Sequence, residues 1–177
     1  MRTQKMIFAG FGGQGVLLIG QMIAYAGMFE GKEVTFMPSY GPEMRGGTAN
    51  CTVIVSDKTI ACPIADSITT LVAMNYPSLV KFAPMVEPGG DIFLNASLIP
   101  ENPDRQDVKV HRVDATALAL ELGNAKCANI VMLGAILAET GVVSRESIER
   151  VMEEKAFTGR KAQFLPLNKK ALAAWKA

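Results

Sequence analysis

Short apolar runs and longer stretches of helical periodicity alternate along most of this chain. Lys5 to Ala9 has the pattern of a buried strand and runs into a glycine-dense turn, Gly10-Phe-Gly12-Gly13-Gln14-Gly15. Val16 to Glu30 then carries apolar residues at helical spacing up to Gly31, and Glu33 to Met37 reads as a second strand. Such a strand, helix and strand unit predicts a parallel sheet with right-handed crossovers and helices on both faces. Thr48 to Val55 and Thr59 to Cys62 flank Asp57-Lys58 and predict an antiparallel hairpin, so the sheet is expected to be mixed.

Further along, Ser67 to Met74 is apolar and β-branched enough for a central strand, and Tyr76-Pro77 suits the first turn of a short helix. Pro88-Gly89-Gly90 is read as a turn into a strand at Asp91 to Leu94, and Asn95 to Asp107 as a surface connection. Val108 to Val113 is the last strand candidate. Four helical patterns follow: Ala115 to Leu122 capped by Asp114, Asn129 to Thr140, a charged helix from Ser144 to about Lys155, and Asn168 to Lys176. No internal repeat or linker divides the chain, so residues 1–177 are expected to form one α/β domain in three layers.

Composition narrows the setting. At 177 residues a single domain can bury roughly 70% of its unfolded surface. Hydrophobic residues make up 49% of the chain, slightly oily for a lone domain, which points to a face covered by a partner. Eighteen basic against seventeen acidic residues leave a net charge of +1, so no field draws the molecule to nucleic acid or to a membrane surface. No apolar stretch approaches the roughly 20 residues of a membrane span, and the early glycines interrupt any signal-peptide core, so a cytoplasmic location is expected. Cys51, Cys62 and Cys127 are widely spaced without a Cys-x-x-Cys pair and are read as buried thiols.

The glycine turn is the first candidate site. Gly10, Gly12 and Gly15 match G-x-G-x-x-G between a strand and a helix, where unpaired backbone N–H groups face an anion. A nicotinamide or flavin site also calls for an acid near the end of the second strand, but that end reads Phe36-Met37-Pro38-Ser39. The glycines can equally serve a tight packing turn; Gln14, able to donate and accept, favours a ligand. The second candidate follows that strand, in Ser39-Tyr40-Gly41-Pro42-Glu43-Met44-Arg45-Gly46-Gly47. Arg45 beside flexible glycines can fork onto a phosphate or carboxylate, unless Glu43 simply pairs with it. His111, the only histidine, lies in or beside a strand away from any nucleophile motif, so no triad is assembled. Asp66 is read as a structural residue, and the carboxylates of Ser144 to Lys155 as a solvated face of paired charges.

Gly10-Phe-Gly-Gly-Gln-Gly-Val16, Glu43-Met-Arg-Gly-Gly47, Pro63-x-x-Asp66 and Asn129-x-x-x-Leu-Gly134, taken in order, resemble the gamma subunit of 2-oxoacid:ferredoxin oxidoreductases over residues 5 to about 155. The resemblance implies a Rossmann-like domain in a multi-subunit enzyme that converts a 2-oxoacid and coenzyme A to acyl-CoA and carbon dioxide, with ferredoxin as electron acceptor. It implies that thiamine diphosphate and iron–sulfur clusters belong to partner alpha, beta and ferredoxin-like subunits. Coenzyme A would be shared with this chain, with Gly10, Gly12, Gly13, Gln14 and Gly15 cradling phosphate or lying at the subunit boundary. Arg45, Gly46 and Gly47 would line the neighbouring edge. No catalytic residue and no metal ligand is expected here. Asn75 stands where many relatives carry an acid, which leaves that position without an inferred role. A stand-alone nucleotide-sensing domain and the small subunit of an indolepyruvate enzyme are the alternatives, and a homodimer is an open partner state of the isolated chain.

Overall fold

The computed structural model describes residues 3–40 and 47–176. Among these residues six strands form one sheet: β1 (Gln4–Phe11), β2 (Glu33–Tyr40), β3 (Thr48–Ser56), β4 (Ile68–Ala73), β5 (Val86–Asn95) and β6 (Lys109–Val113), in the order β2-β3-β1-β4-β5-β6. β1, β4, β5 and β6 are parallel, while β3 runs against both of its neighbours. The mixed α/β fold is therefore as expected, but the hairpin is formed by β2 and β3, and residues 59–62 form no strand. Both edges of β3 are occupied, by β2 on one side and β1 on the other, which leaves no edge for residues 59–62; Val53, Ile54 and Val55 are all buried. β3 also separates β1 from β2, so the opening strand, helix and strand unit spans a gap one strand wide.

Among the described residues the α-helices are α1 (Val16–Phe29), α2 (Tyr76–Phe82), α3 (Ala115–Glu121), α4 (Ala128–Thr140), α5 (Arg145–Val151) and α6 (Leu165–Leu172), with short 3-10 and π turns beside them. The layers are unequal. α1, α3, α4, α5 and α6 share one core with Met6, Phe8, Val53, Val72 and Phe93, whereas the opposite face, with Ile7, Leu71, Ile92 and Leu94, meets α2 and the buried Ile99. α1 packs tightly on the sheet because Gly20 is small: a Cβ there would lie 2.5 Å from Cys51 Sγ and 3.3 Å from Phe8.

Local chemistry sets the ends. Asn75 Oδ1 caps α2 by accepting the Ser78 N–H at 2.9 Å, and Ser144 Oγ caps α5 by accepting the Ser147 N–H at 3.1 Å. Asp114 stands at the start of α3 without a side-chain cap bond. Pro88-Gly89-Gly90 is not a turn before a strand but an irregularity inside β5, with Gly89 at φ 78° and a register shift against β4. The charged surface of α5 is paired as expected, Arg145 with Glu149 and Arg150 with Glu154. Cys51 and Cys127 are buried, and burial pushes the Cys51 thiol up to about 12. Cys62 departs from expectation and is exposed, because residues 57–66 lie outside the core. Among the described residues no helix is long and apolar enough to cross a membrane.

Candidate functional site

Connections leave β1 and β4 in opposite directions: β1 leads through α1 toward β2, and β4 leads through α2 toward β5. The crevice between their carboxyl ends is thus a topological switch point, where open α/β sheets bind ligands. The glycine loop closes this crevice on the β1 side.

Gln14 shapes the loop. Its Oε1 accepts the Phe11 N–H at 2.7 Å and its Nε2 donates to the Met74 carbonyl at 3.1 Å, bridging the ends of β1 and β4. Gly10 makes room for that bridge, since a Cβ at this position would lie 2.6 Å from Gln14 Oε1. Gly15 takes φ 73° as the residue that opens α1, and Asn129 of α4 donates to its carbonyl at 3.2 Å while filling the space a side chain would need. Gly13, at φ 96°, faces open space.

The second predicted segment reaches the loop in part. The Gly12 N–H donates to the Gly47 carbonyl at 2.9 Å, which brings the start of β3 to the loop. Arg45, Gly46 and Glu43 lie outside the described residues. The topology adds to the case against a nicotinamide site. Residues Val34 to Tyr40 contain no acid, and with β3 intervening the end of β2 lies two strands, about 10 Å, from β1.

A cleft of about 210 Å³ opens beside the loop, lined by Gly13, Gln14, Asn95, Thr116, Lys126 and Asn129 among others. Asn95 ends β5, Thr116 opens α3, and Lys126 lies in the short turn before α4, so three strand ends and two helix starts converge. Asn95, Thr116 and Lys126 are contributors that sequence reasoning did not find. Asn129 appeared only in the family pattern, and its bond to Gly15 gives that position a physical role.

Other candidates lie elsewhere. His111 Nε2 is 2.8 Å from Asp91 and its ring stacks on Phe93 at 4.4 Å, a packing role within the sheet. Asp66 is exposed just before β4, at the sheet edge opposite the glycine loop. Among the described residues no three His, Cys, Asp or Glu side chains converge to hold a metal ion.

Comparison with known proteins gives a consistent grouping. The family described as pyruvate ferredoxin/flavodoxin oxidoreductase matches residues 5–174. The 2-oxoglutarate synthase subunit KorC of Methanothermobacter marburgensis is 34% identical over 166 residues, covering 90% of this chain and 89% of that protein. The ketoisovalerate oxidoreductase subunit VorA of the same organism is 39% identical over 137 residues; the match covers 77% of this chain but only 28% of that longer relative. Among solved structures, the gamma subunit of a keto/oxoacid ferredoxin oxidoreductase from Geobacter sulfurreducens superposes with a TM-score of 0.85 at 30% identity, covering 98% of this chain and 94% of that one. A 2-oxoglutarate:ferredoxin oxidoreductase from Magnetococcus marinus shares the fold at 23% identity, with a TM-score of 0.87 over 98% of this chain and 30% of that one.

Proposed function

Since this chain belongs to the pyruvate ferredoxin/flavodoxin oxidoreductase family, we propose that it is the gamma subunit of a cytoplasmic 2-oxoacid:ferredoxin oxidoreductase, helping to bind coenzyme A and to hold the assembly together. The observation that carries this reading is the end-to-end match to a solved gamma subunit, 98% of one chain on 94% of the other. In this reading the thiamine diphosphate and iron–sulfur clusters sit on alpha, beta and ferredoxin-like partners.

The glycine loop fits one end of coenzyme A. Gly13 leaves an open cradle where a side chain would stand, and α1 begins immediately after Gly15. The adjoining cleft, at about 210 Å³, is smaller than the roughly 300–1,000 Å³ that encloses a drug-sized ligand, so a second subunit must cover the rest of the cofactor. Bound there, coenzyme A supplies the thiol that accepts the acyl group. This chain's part is to bind and orient: the backbone of Gly13 approaches the pyrophosphate, Gly10, Gly12 and Gly15 shape the turn around it, Gln14 holds the loop, Gly47 borders it through its bond to Gly12, and Arg45 with Gly46 is assigned to phosphate recognition from the family resemblance alone.

Affinity purification of the tagged protein from its native host, with mass spectrometry of what accompanies it, tests the assignment. Recovery of thiamine-dependent subunits is expected, and their consistent absence under gentle conditions would overturn it. In the assembled enzyme, Arg45→Ala should weaken coenzyme A use while leaving decarboxylation nearly intact. Gly13→Val should damage coenzyme A use further, because a β-branched residue resists a positive φ.

A further inference from the structure

We propose that Lys126 is the counter-charge for a phosphate group seated in the cleft beside Gly13. The cleft is built for an acceptor-rich ligand. Each amide oxygen in its lining already accepts a hydrogen bond from backbone: Gln14 Oε1 from Phe11, Asn95 Oδ1 from Thr116 at 3.4 Å, and Asn129 Oδ1 from Ile130 at 3.0 Å. The donors are not used up. Thr116 Oγ1 accepts from Asn95 Nδ2 at 2.9 Å, which leaves its own hydrogen to donate, and each amide nitrogen keeps a second N–H after the one it gives to Met74, Thr116 or Gly15. Asn95 is fully buried and Asn129 is 5% exposed, so they form the fixed backing of the cleft, and the half-buried Thr116 and Gln14 are the donors a ligand can reach.

Lys126 supplies the charge. Among the described residues it is the one ionisable side chain in that lining, and no described carboxylate shares the cleft with it. Its backbone is fixed by the Asn124 side chain, which accepts the Lys126 N–H at 3.0 Å, while its ammonium has no hydrogen bond or ion pair among the described residues. Lys126 is exposed at the rim of the cleft, where its flexible ammonium can reach an oxyanion that Thr116 and Gln14 also contact. Gly13 adds open space on the loop side.

The inference rests on the coenzyme A reading and sharpens it: the phosphate-bearing end of a nucleoside diphosphate enters this chain, and the thiol end lies outside. The pyrophosphate of coenzyme A and that of a free nucleotide present the same chemistry, so the test must separate them. Titration calorimetry on the full chain would use coenzyme A, ADP, inorganic phosphate and pantetheine, which lacks phosphate. Coenzyme A should bind more tightly than ADP, and pantetheine should not bind. Lys126→Ala should weaken coenzyme A binding about tenfold, the loss of one charge-assisted contact, with Lys126→Arg retaining most of it and both variants melting like the parent.

Equal coenzyme A affinity in Lys126→Ala and the parent would overturn the role of Lys126 while leaving the coenzyme A reading standing. Pantetheine binding as tightly as coenzyme A would overturn the phosphate seat. ADP binding more tightly than coenzyme A would assign the cleft to free nucleotide. Absence of any coenzyme A binding, in the chain and in the reconstituted complex alike, would remove both the inference and the reading beneath it.

Discussion

Glu30 follows α1, and its carboxylate holds two separate parts of the chain. It accepts the Ser144 N–H at 2.6 Å, meets Lys32 Nζ at 2.7 Å, and Lys32 in turn donates to the Val142 carbonyl at 2.8 Å. The end of α1 is thereby tied to the connection between α4 and α5. Burial works to raise this carboxyl, but Lys32 and the Ser144 and Ser147 groups outweigh it and hold the pKa at about 2, against an ordinary 4.5. At about 1.4 kcal/mol per unit, that depression is worth about 3 kcal/mol at neutral pH. The side chain is 20% exposed and its bond to Ser144 faces solvent, so screening reduces the net value to about 1–2 kcal/mol. Glu30→Gln keeps the shape and one acceptor, so a loss of about 1–2 kcal/mol is expected, or about 2–8 °C in Tm for a chain of this size. Because the folded-state pKa lies below the unfolded one, this stability is present above pH 4.5 and lost as the pH falls toward 2. Urea titrations of both proteins at pH 7, 4.5, 4 and 3.5 would therefore see the gap between them narrow, approaching 1.4 kcal/mol for each pH unit well below 4.5. A gap that stays constant across that range would refute the ionised clamp and leave packing as the cause.

Three further outcomes are expected. Gly15→Ala forces a side chain onto a positive φ and into Asn129, and should cost about 1–3 kcal/mol in denaturant titration; Asn129→Gly in the same background should recover part of that loss. Gln14→Leu removes both bonds between the loop and the ends of β1 and β4, with an expected cost of about 1–3 kcal/mol and faster amide exchange at Phe11. A neutral maleimide should modify one thiol per native chain, at Cys62, with Cys51 and Cys127 reacting only on unfolding; quick labelling of a second thiol would contradict their burial.

What could be read from the sequence was local. Lys5 to Ala9, the glycine turn and Val16 to Glu30 carry their own periodicity and punctuation, and they form β1, the loop and α1. The place of β3 was not legible, because an apolar run at residues 48–55 suits a hairpin with the segment after it as well as one with the segment before it. The choice depends on the long-range pairing of β3 with β1, which occupies its other edge. Cys62 was misread for a related reason: an apolar residue near a strand looks buried until the chain's path is known. At the site, glycine spacing announced the loop, but the cleft also draws on Asn95, Thr116 and Lys126, more than 80 residues later. Only the strand order brings them to one edge.

The insertion of β3 between β1 and β2 also constrains how the molecule assembles in time. β2 and β3 are close in sequence and pair along their full length, so they can zip together before either meets β1. Docking of that hairpin then completes one flank of β1 in a single event, and the Gly12 to Gly47 hydrogen bond closes with it. Detachment of the hairpin would run the same event backwards and free the Gly12 N–H, while Gln14 still ties the loop to the end of β4.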